Sequence, residues 1–122
     1  MENLKHLFII EDSLDFQLLL QTIFRREGYN VDCASNGQDA LVSLRAKTDL
    51  PCVILLDIMM PVMDGFEFRA QQKQDPRLAS IPVVVMTAHG DIQSTKAKAG
   101  VRDIIRKPSD VQTFLKVVGD AC

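Results

Sequence analysis

Short unbroken apolar runs alternate along this chain with stretches in which apolar residues recur every three or four positions, so strand and helix signals follow one another repeatedly. The first run, residues 6–10, predicts a strand. Ser13 then stands where a hydroxyl can cap a helix, and Phe16, Leu19, Leu20, Ile23 and Phe24 give that helix one apolar face until Gly28 stops it. A second strand is predicted over residues 30–34, followed by Asn36-Gly37 and a helix carrying Ala40, Leu41 and Leu44. Residues 52–56 are apolar throughout, as a strand buried on both faces of a parallel sheet must be. Asp64-Gly65 makes a turn and opens a third helix, whose stripe fails after Phe68 because Gln71, Gln72, Lys73 and Gln74 are polar; a short or frayed helix is predicted. Pro82 begins a fourth strand within the run 81–88, at a position where a missing N–H is least harmful. Residues 103–106 form a short fifth strand, and a last helix presents Val111, Phe114, Leu115 and Val118 to the sheet. This alternation calls for an α/β domain with a parallel sheet covered on both faces, and no repeat or linker divides residues 1–122.

Four polar stretches follow apolar runs: Glu11-Asp12, Asp57, Thr87-Ala88 and Lys107-Pro108. In one parallel sheet all four reach the same rim. Carboxylates gathered in one crevice repel each other, raise one another's pKa and become tolerable when a hard divalent cation neutralises them. Magnesium suits such a set, since it takes oxygen ligands, retains waters and is held by one or two carboxylates beside a phosphate. A lysine ammonium and a threonine hydroxyl suit the oxygens of a phosphoryl group in transfer, which leaves Asp57 as the nucleophile that would form an aspartyl phosphate. Functional groups after strands one, three, four and five imply the flavodoxin-like order 2-1-3-4-5 with five helices, in which Glu11-Asp12 and Asp57 meet at the switch point. Each residue alone has a plainer reading: Asp12 as a helix cap, Thr87 as a strand-end hydroxyl, Lys107 as a solvated cation. His6 and His89 lack partners at metal-ligand spacing, and no GxGxxG or GxxxxGK[ST] occurs.

From Leu4 to Gly119 the chain resembles the receiver domain of two-component response regulators. The resemblance rests on five segments in order: Phe8-Ile9-Ile10-Glu11-Asp12, the run from Ile54 through Asp57-Ile58-Met59-Met60-Pro61 to Asp64-Gly65, Ile81-Pro82 through Thr87-Ala88, Ala99-Gly100, and Arg106-Lys107-Pro108. It implies that Asp57 accepts a phosphoryl group from a histidine kinase or phosphotransfer protein. Glu11, Asp12, Asp57 and the backbone carbonyl of Met59 would organise Mg²⁺, Glu11 through water, while Thr87 and Lys107 would contact phosphoryl oxygens. It also implies a cis Lys107–Pro108 bond and places Met59 and His89 beside the path of the hydrolytic water. Three departures stand out: Ile104 replaces the usual aromatic residue, Ser109 replaces the common Phe after Lys-Pro, and the segment between Thr87 and Ala99-Gly100 is short. All fall on the side by which most receivers meet partners, so an intact site with an altered readout is expected.

Composition narrows the partners. A net charge of −2, from 14 basic and 16 acidic residues, provides no field for nucleic acid. The apolar runs are too short to span a bilayer and the N-terminus lacks a signal-peptide pattern, so a cytoplasmic monomer or weak dimer is expected, with a kinase or phosphotransfer protein and a protein output partner. The basic residues Lys96, Lys98, Arg102, Arg106 and Lys107 read as a solvated face. Cys33, Cys52 and Cys122 are odd in number without CxxC spacing, which argues against both disulfides and zinc. The main reading is a switch that catalyses only its own phosphorylation and dephosphorylation. The rivals are a small Mg²⁺-dependent phosphohydrolase, against which Met59 stands where haloacid-dehalogenase-like enzymes need a second aspartate, and a constitutive docking module.

Overall fold

The computed structural model describes residues 5–88, 90, 92–107 and 109–122. These form strands β1 (Lys5–Ile10), β2 (Tyr29–Ala34), β3 (Val53–Asp57), β4 (Val83–Thr87) and β5 (Asp103–Arg106). Between and after them come helices α1 (Leu14–Arg26), α2 (Gly37–Ala46), α3 (Gly65–Gln74), α4 (Ile92–Ala99) and α5 (Val111–Ala121). The strands pair in parallel in the order β2-β1-β3-β4-β5. The expected doubly wound architecture is therefore the observed one.

Strand alternation builds two cores from one sheet. Phe8, Ile10, Ile54, Leu56, Val83 and Val85 face Ala40, Leu41 and Leu44 of α2 and Phe68 of α3. The intervening residues Leu7, Ile9, Val53, Leu55, Val84 and Met86 face Leu20 and Phe24 of α1 and Phe114 and Val118 of α5. Every residue of β3 and β4 is buried, so these strands can only be central. Register then places the rim: Ile10 lies opposite Leu56, Asp57 opposite Met86, and Thr87 opposite Arg106. The residues that follow each strand emerge side by side.

Helix starts are fixed by side-chain caps. Ser13, Asn36, Asp64 and Asp110 accept backbone N–H bonds from Phe16, Asp39, Glu67 and Thr113, and Glu67 returns the bond to Asp64 in a capping box. α3 is consequently not a frayed helix but a ten-residue one. Its polar face has partners in the protein: the buried Gln72 amide donates to the carbonyls of Leu78 and Ile81 at 3.0 and 3.1 Å, and Gln72 accepts from Arg69 at 2.8 Å. Gln17 does the same for α1, donating to the carbonyls of Glu11 (2.9 Å) and Ala34 (3.3 Å). The buried line of α1 is Gln17, Leu20 and Phe24, which turns Leu19 out to 53% exposure, against expectation. Val111, the first residue of α5, is also exposed against expectation, and Phe114 and Val118 are the buried residues of that helix. Pro82 precedes β4 and its carbonyl accepts the N–H of Ile54 at 2.9 Å. α4 is short, with eight residues, as the reduced segment before Ala99-Gly100 suggests.

The cysteine expectation is corrected. Cys52 and Cys122 are joined in a disulfide, with Cα atoms 5.0 Å apart and a sequence separation of 70. Cys52 lies just ahead of β3, and α5 runs back to that same end of the sheet, so the pairing is a product of topology that linear spacing does not encode. Cys33 remains free in β2, where burial pushes its thiol up to about 11. Alkylation of the denatured, unreduced protein should therefore add one group, at Cys33, and reduction beforehand should allow three, as read by intact mass. Reduction should also lower stability by about 2–4 kcal/mol, since a long loop is released in the unfolded chain. Three reactive thiols without reductant would contradict the disulfide.

Candidate functional site

Glu11 follows β1 and is almost fully buried, at 1% exposure, because the structure uses its backbone and side chain together. Its N–H donates to the Ala34 carbonyl at 3.0 Å, its carbonyl accepts from Gln17, and its Oε2 accepts the N–H of Ser13 at 3.0 Å. Asp12 beside it is exposed and opens the crevice to solvent. Asp57 ends β3 and is buried, with Oδ1 accepting the N–H of Met59 at 3.3 Å. One carboxylate oxygen from each of Glu11, Asp12 and Asp57 lies within 4.8 Å of the others. Thr87 ends β4, buried on the same rim, and its carbonyl accepts the N–H of Lys107 at 2.8 Å. Lys107 Nζ then reaches Glu11 Oε1 at 2.8 Å and Asp57 Oδ2 at 3.6 Å.

The loop after Asp57 is shaped by two backbone constraints. Gly65 donates to the Ile58 carbonyl at 2.8 Å, and a Cβ there would sit 2.7 Å from the Asp57 carbonyl oxygen and from Ile58 Cα, so no other residue lets α3 start this close to the nucleophile candidate. The turn itself closes earlier than Asp64-Gly65, with Met63 N–H donating to the Pro61 carbonyl at 2.7 Å around Val62, whose φ is 68°. A β-branched residue in the left-handed region is strained, and such strain gathers beside functional sites. Met59, in this loop, is 62% exposed.

Three carboxylates around one ammonium leave the crevice electron-rich. Burial, and then the neighbouring Glu11 carboxylate, push the Asp57 carboxyl up to about 7; Lys107 and the Met59 N–H oppose the shift without cancelling it. The donor set is hard oxygen, clustered and reachable from solvent through Asp12, which fits a divalent cation that keeps part of its water shell. Among the described residues, this is the group of acidic, histidine or cysteine side chains that could hold a metal ion. His6 belongs to the opposite end of β1.

The structure thus brings together Glu11, Asp12, Asp57 and Lys107, with Thr87 and Met59 on the same rim. The expectations for the isomer of the bond to Pro108 and for His89 lie outside the described residues. Ile104 is half-buried and packs against the core that contains Phe8. The basic segment is more than a solvated face: Lys98 Nζ stands 4.3 Å from the centre of the Phe66 ring, and Arg106 donates to the Gly90 carbonyl at 3.4 Å. Phe16 packs against the core that contains Phe24, as expected, and its ring centre also lies 4.8 Å from Lys107 Nζ.

The comparisons agree with this geometry. Residues 7–119 match the family described as response regulator receiver domain, and the chain belongs to that family. It is 32% identical over 115 residues to Protein PilH of Pseudomonas aeruginosa, covering 92% of this chain and 93% of that one. Against Response regulator PleD of Caulobacter vibrioides it is 40% identical over 116 residues, which is 91% of this chain but 25% of that protein. Among solved structures, the signal receiver domain of a signal transduction histidine kinase from Syntrophus aciditrophicus superposes with a TM-score of 0.86 at 28% identity, over 96% of this chain and 89% of that one. The receiver domain of a Pseudomonas aeruginosa sensor histidine kinase, with a magnesium ion coordinated in its active-site cleft, superposes at 0.83 with 21% identity, over 96% and 99% of the two chains. The protein is thus a receiver domain of two-component signalling, and its acidic cluster fits the Mg²⁺ phosphoacceptor site of that family.

The raised Asp57 pKa has a stability consequence. The folded state holds this proton up to about pH 7, whereas an unfolded aspartate releases it near 3.9. The folded state therefore binds more protons between those values, and the stabilisation present below the unfolded pKa is lost as pH rises through 7. Without metal, Asp57→Asn should match the parent near pH 4 and exceed it at pH 8 by on the order of 2 kcal/mol in urea unfolding. A gap that stays constant with pH would refute the crowding of Asp57.

Proposed function

We propose that Asp57 is the phosphoacceptor, in a receiver spanning residues 1–122 that signals through its phosphorylation state. The observation that carries this is the buried Asp57 carboxylate at the end of β3, with two further carboxylates and the Lys107 ammonium gathered round it. An Asp57 Oδ attacks phosphorus as the P–N bond of a phosphohistidine breaks, and the bonding pair returns to the donor imidazole, which takes up a proton. Lys107 and the Thr87 hydroxyl hold the phosphoryl oxygens and balance their charge as they move from nitrogen to Asp57. Asp12, Asp57 and the Met59 carbonyl would hold Mg²⁺ directly and Glu11 would hold it through water, and the ion would supply charge neutralisation for the crowded carboxylates and the phosphoryl group. Water later takes the phosphoryl group from Asp57, releasing inorganic phosphate and restoring the carboxylate. The chain acts on itself in both steps. Its donor is a histidine kinase or phosphotransfer protein in the cytoplasm, and its output is a protein partner whose affinity changes with phosphorylation. The P. aeruginosa receiver that coordinates magnesium supports the choice of ion.

Incubation with acetyl phosphate and Mg²⁺ tests this reading by intact mass. The parent should gain one phosphoryl group, Asp57→Asn should gain none, and Glu11→Gln should be labelled more slowly. Full labelling of Asp57→Asn would remove Asp57 from the role.

Lifetime is set beside the nucleophile. Met59 follows Asp57 by two residues, and its bulky side chain is apolar, so it offers no group to orient a water. The aspartyl phosphate of the parent should outlive that of Met59→Asn or Met59→Glu when decay is followed after removal of acetyl phosphate. Equal or faster decay in the parent would contradict this role for Met59.

A further inference from the structure

We infer that Phe16 is a positioning residue for Lys107, its ring forming a fixed seat over which the ammonium moves between Glu11 and the phosphoryl group on Asp57. The inference rests on the phosphoacceptor reading above. Lys107 Nζ lies 4.8 Å from the centre of the Phe16 ring while it bonds Glu11 at 2.8 Å and stands 3.6 Å from Asp57. A cation within about 6 Å of a ring face is attracted by the ring quadrupole, and more so where water is partly excluded. The Lys107 side chain is 20% exposed and Glu11 1%, so this contact is partly shielded.

The ring is itself immobilised. Phe16 meets Phe114 of α5 edge-to-face, with centroids 6.0 Å apart and planes at 64°, so α1 and α5 together fix the surface on which Lys107 rests. Glu11 alone could not do this work. An ammonium held only by an ion pair follows its carboxylate, and the shorter of the two distances ties Lys107 to Glu11 rather than to Asp57. Attraction to a ring face is tolerant of sliding, whereas a hydrogen bond is not. The seat therefore lets the ammonium leave Glu11 for the phosphoryl oxygens without being released into solvent, where a flexible four-carbon stem would lose its aim. A leucine at position 16 would fill the same space but offer no quadrupole.

The test compares Phe16→Leu and Phe16→Tyr, each with Lys107 intact and in Lys107→Met. The readouts are the initial rate of Asp57 labelling by acetyl phosphate with Mg²⁺ and the proton shifts of the Lys107 side-chain methylenes. With Lys107 present, Phe16→Leu should label about fivefold more slowly, the size expected for loss of one partly shielded cation–ring contact, while Phe16→Tyr keeps the parent rate. In Lys107→Met the Leu and Tyr variants should be equal. The Lys107 methylene protons should lie upfield in the parent and in Phe16→Tyr, and return to ordinary values in Phe16→Leu. A parent that labels normally together with a Phe16→Leu variant that labels equally fast overturns the seat alone. A slow Phe16→Leu variant that is slowed just as much in Lys107→Met also overturns it, because the effect would then not pass through Lys107. A parent that is not labelled at all overturns the proposed function, and the seat with it.

Discussion

Everything at the rim of this sheet answers to one constraint: Glu11, Asp12 and Asp57 are held close together around a single ammonium, with Glu11 and Asp57 out of water. Such a cluster is unfavourable in isolation, because burial and mutual repulsion both oppose ionisation. The fold supports it with packing elsewhere. β3 and β4 are buried along their whole length, and the alternation of their side chains feeds two separate cores, so the strand ends cannot drift apart to relieve the repulsion. A hard cation relieves repulsion of this kind, which is why the cluster fits the Mg²⁺ phosphoacceptor site of the receiver family.

Backbone chemistry brings the remaining groups to that cluster. Gly65 permits α3 to begin against the Asp57 carbonyl, Val62 takes up a strained turn, and the Thr87 carbonyl anchors Lys107 by its N–H before the side chain reaches inward. Helices contribute through polar side chains as much as through apolar faces. Gln17 and Gln72 are buried and donate their amide hydrogens to backbone carbonyls, Gln17 to Glu11 and Ala34 and Gln72 to Leu78 and Ile81, which ties the β1–α1 and α3–β4 connections to these helices.

Much of this was legible beforehand, and the exceptions have physical reasons. Continuous apolar runs identified the central strands, and an acid at the end of β3 in register with Glu11-Asp12 identified the crevice, because parallel strands carry their ends to one edge. α3 was underestimated since an apolar stripe measures only one kind of burial, and Gln72 is buried through hydrogen bonds. Leu19 was misplaced because the periodicity of α1 allows two overlapping faces, and only the sheet decides that Gln17 rather than Leu19 points inward. The Cys52–Cys122 pair and the Phe16–Lys107 contact join residues far apart in sequence, so no local spacing announces either of them.

Proton linkage to magnesium binding tests the crowded-carboxylate account most directly. If the Asp57 carboxyl is pushed up to about 7 by burial and by Glu11, a cation that needs it ionised must displace its proton. Calorimetric titration with Mg²⁺ near pH 6, in two buffers of different ionisation enthalpy, should show a proton released for most binding events, and affinity should climb as pH rises through 7. Binding that releases no proton and keeps the same affinity from acid to neutral pH would contradict the account.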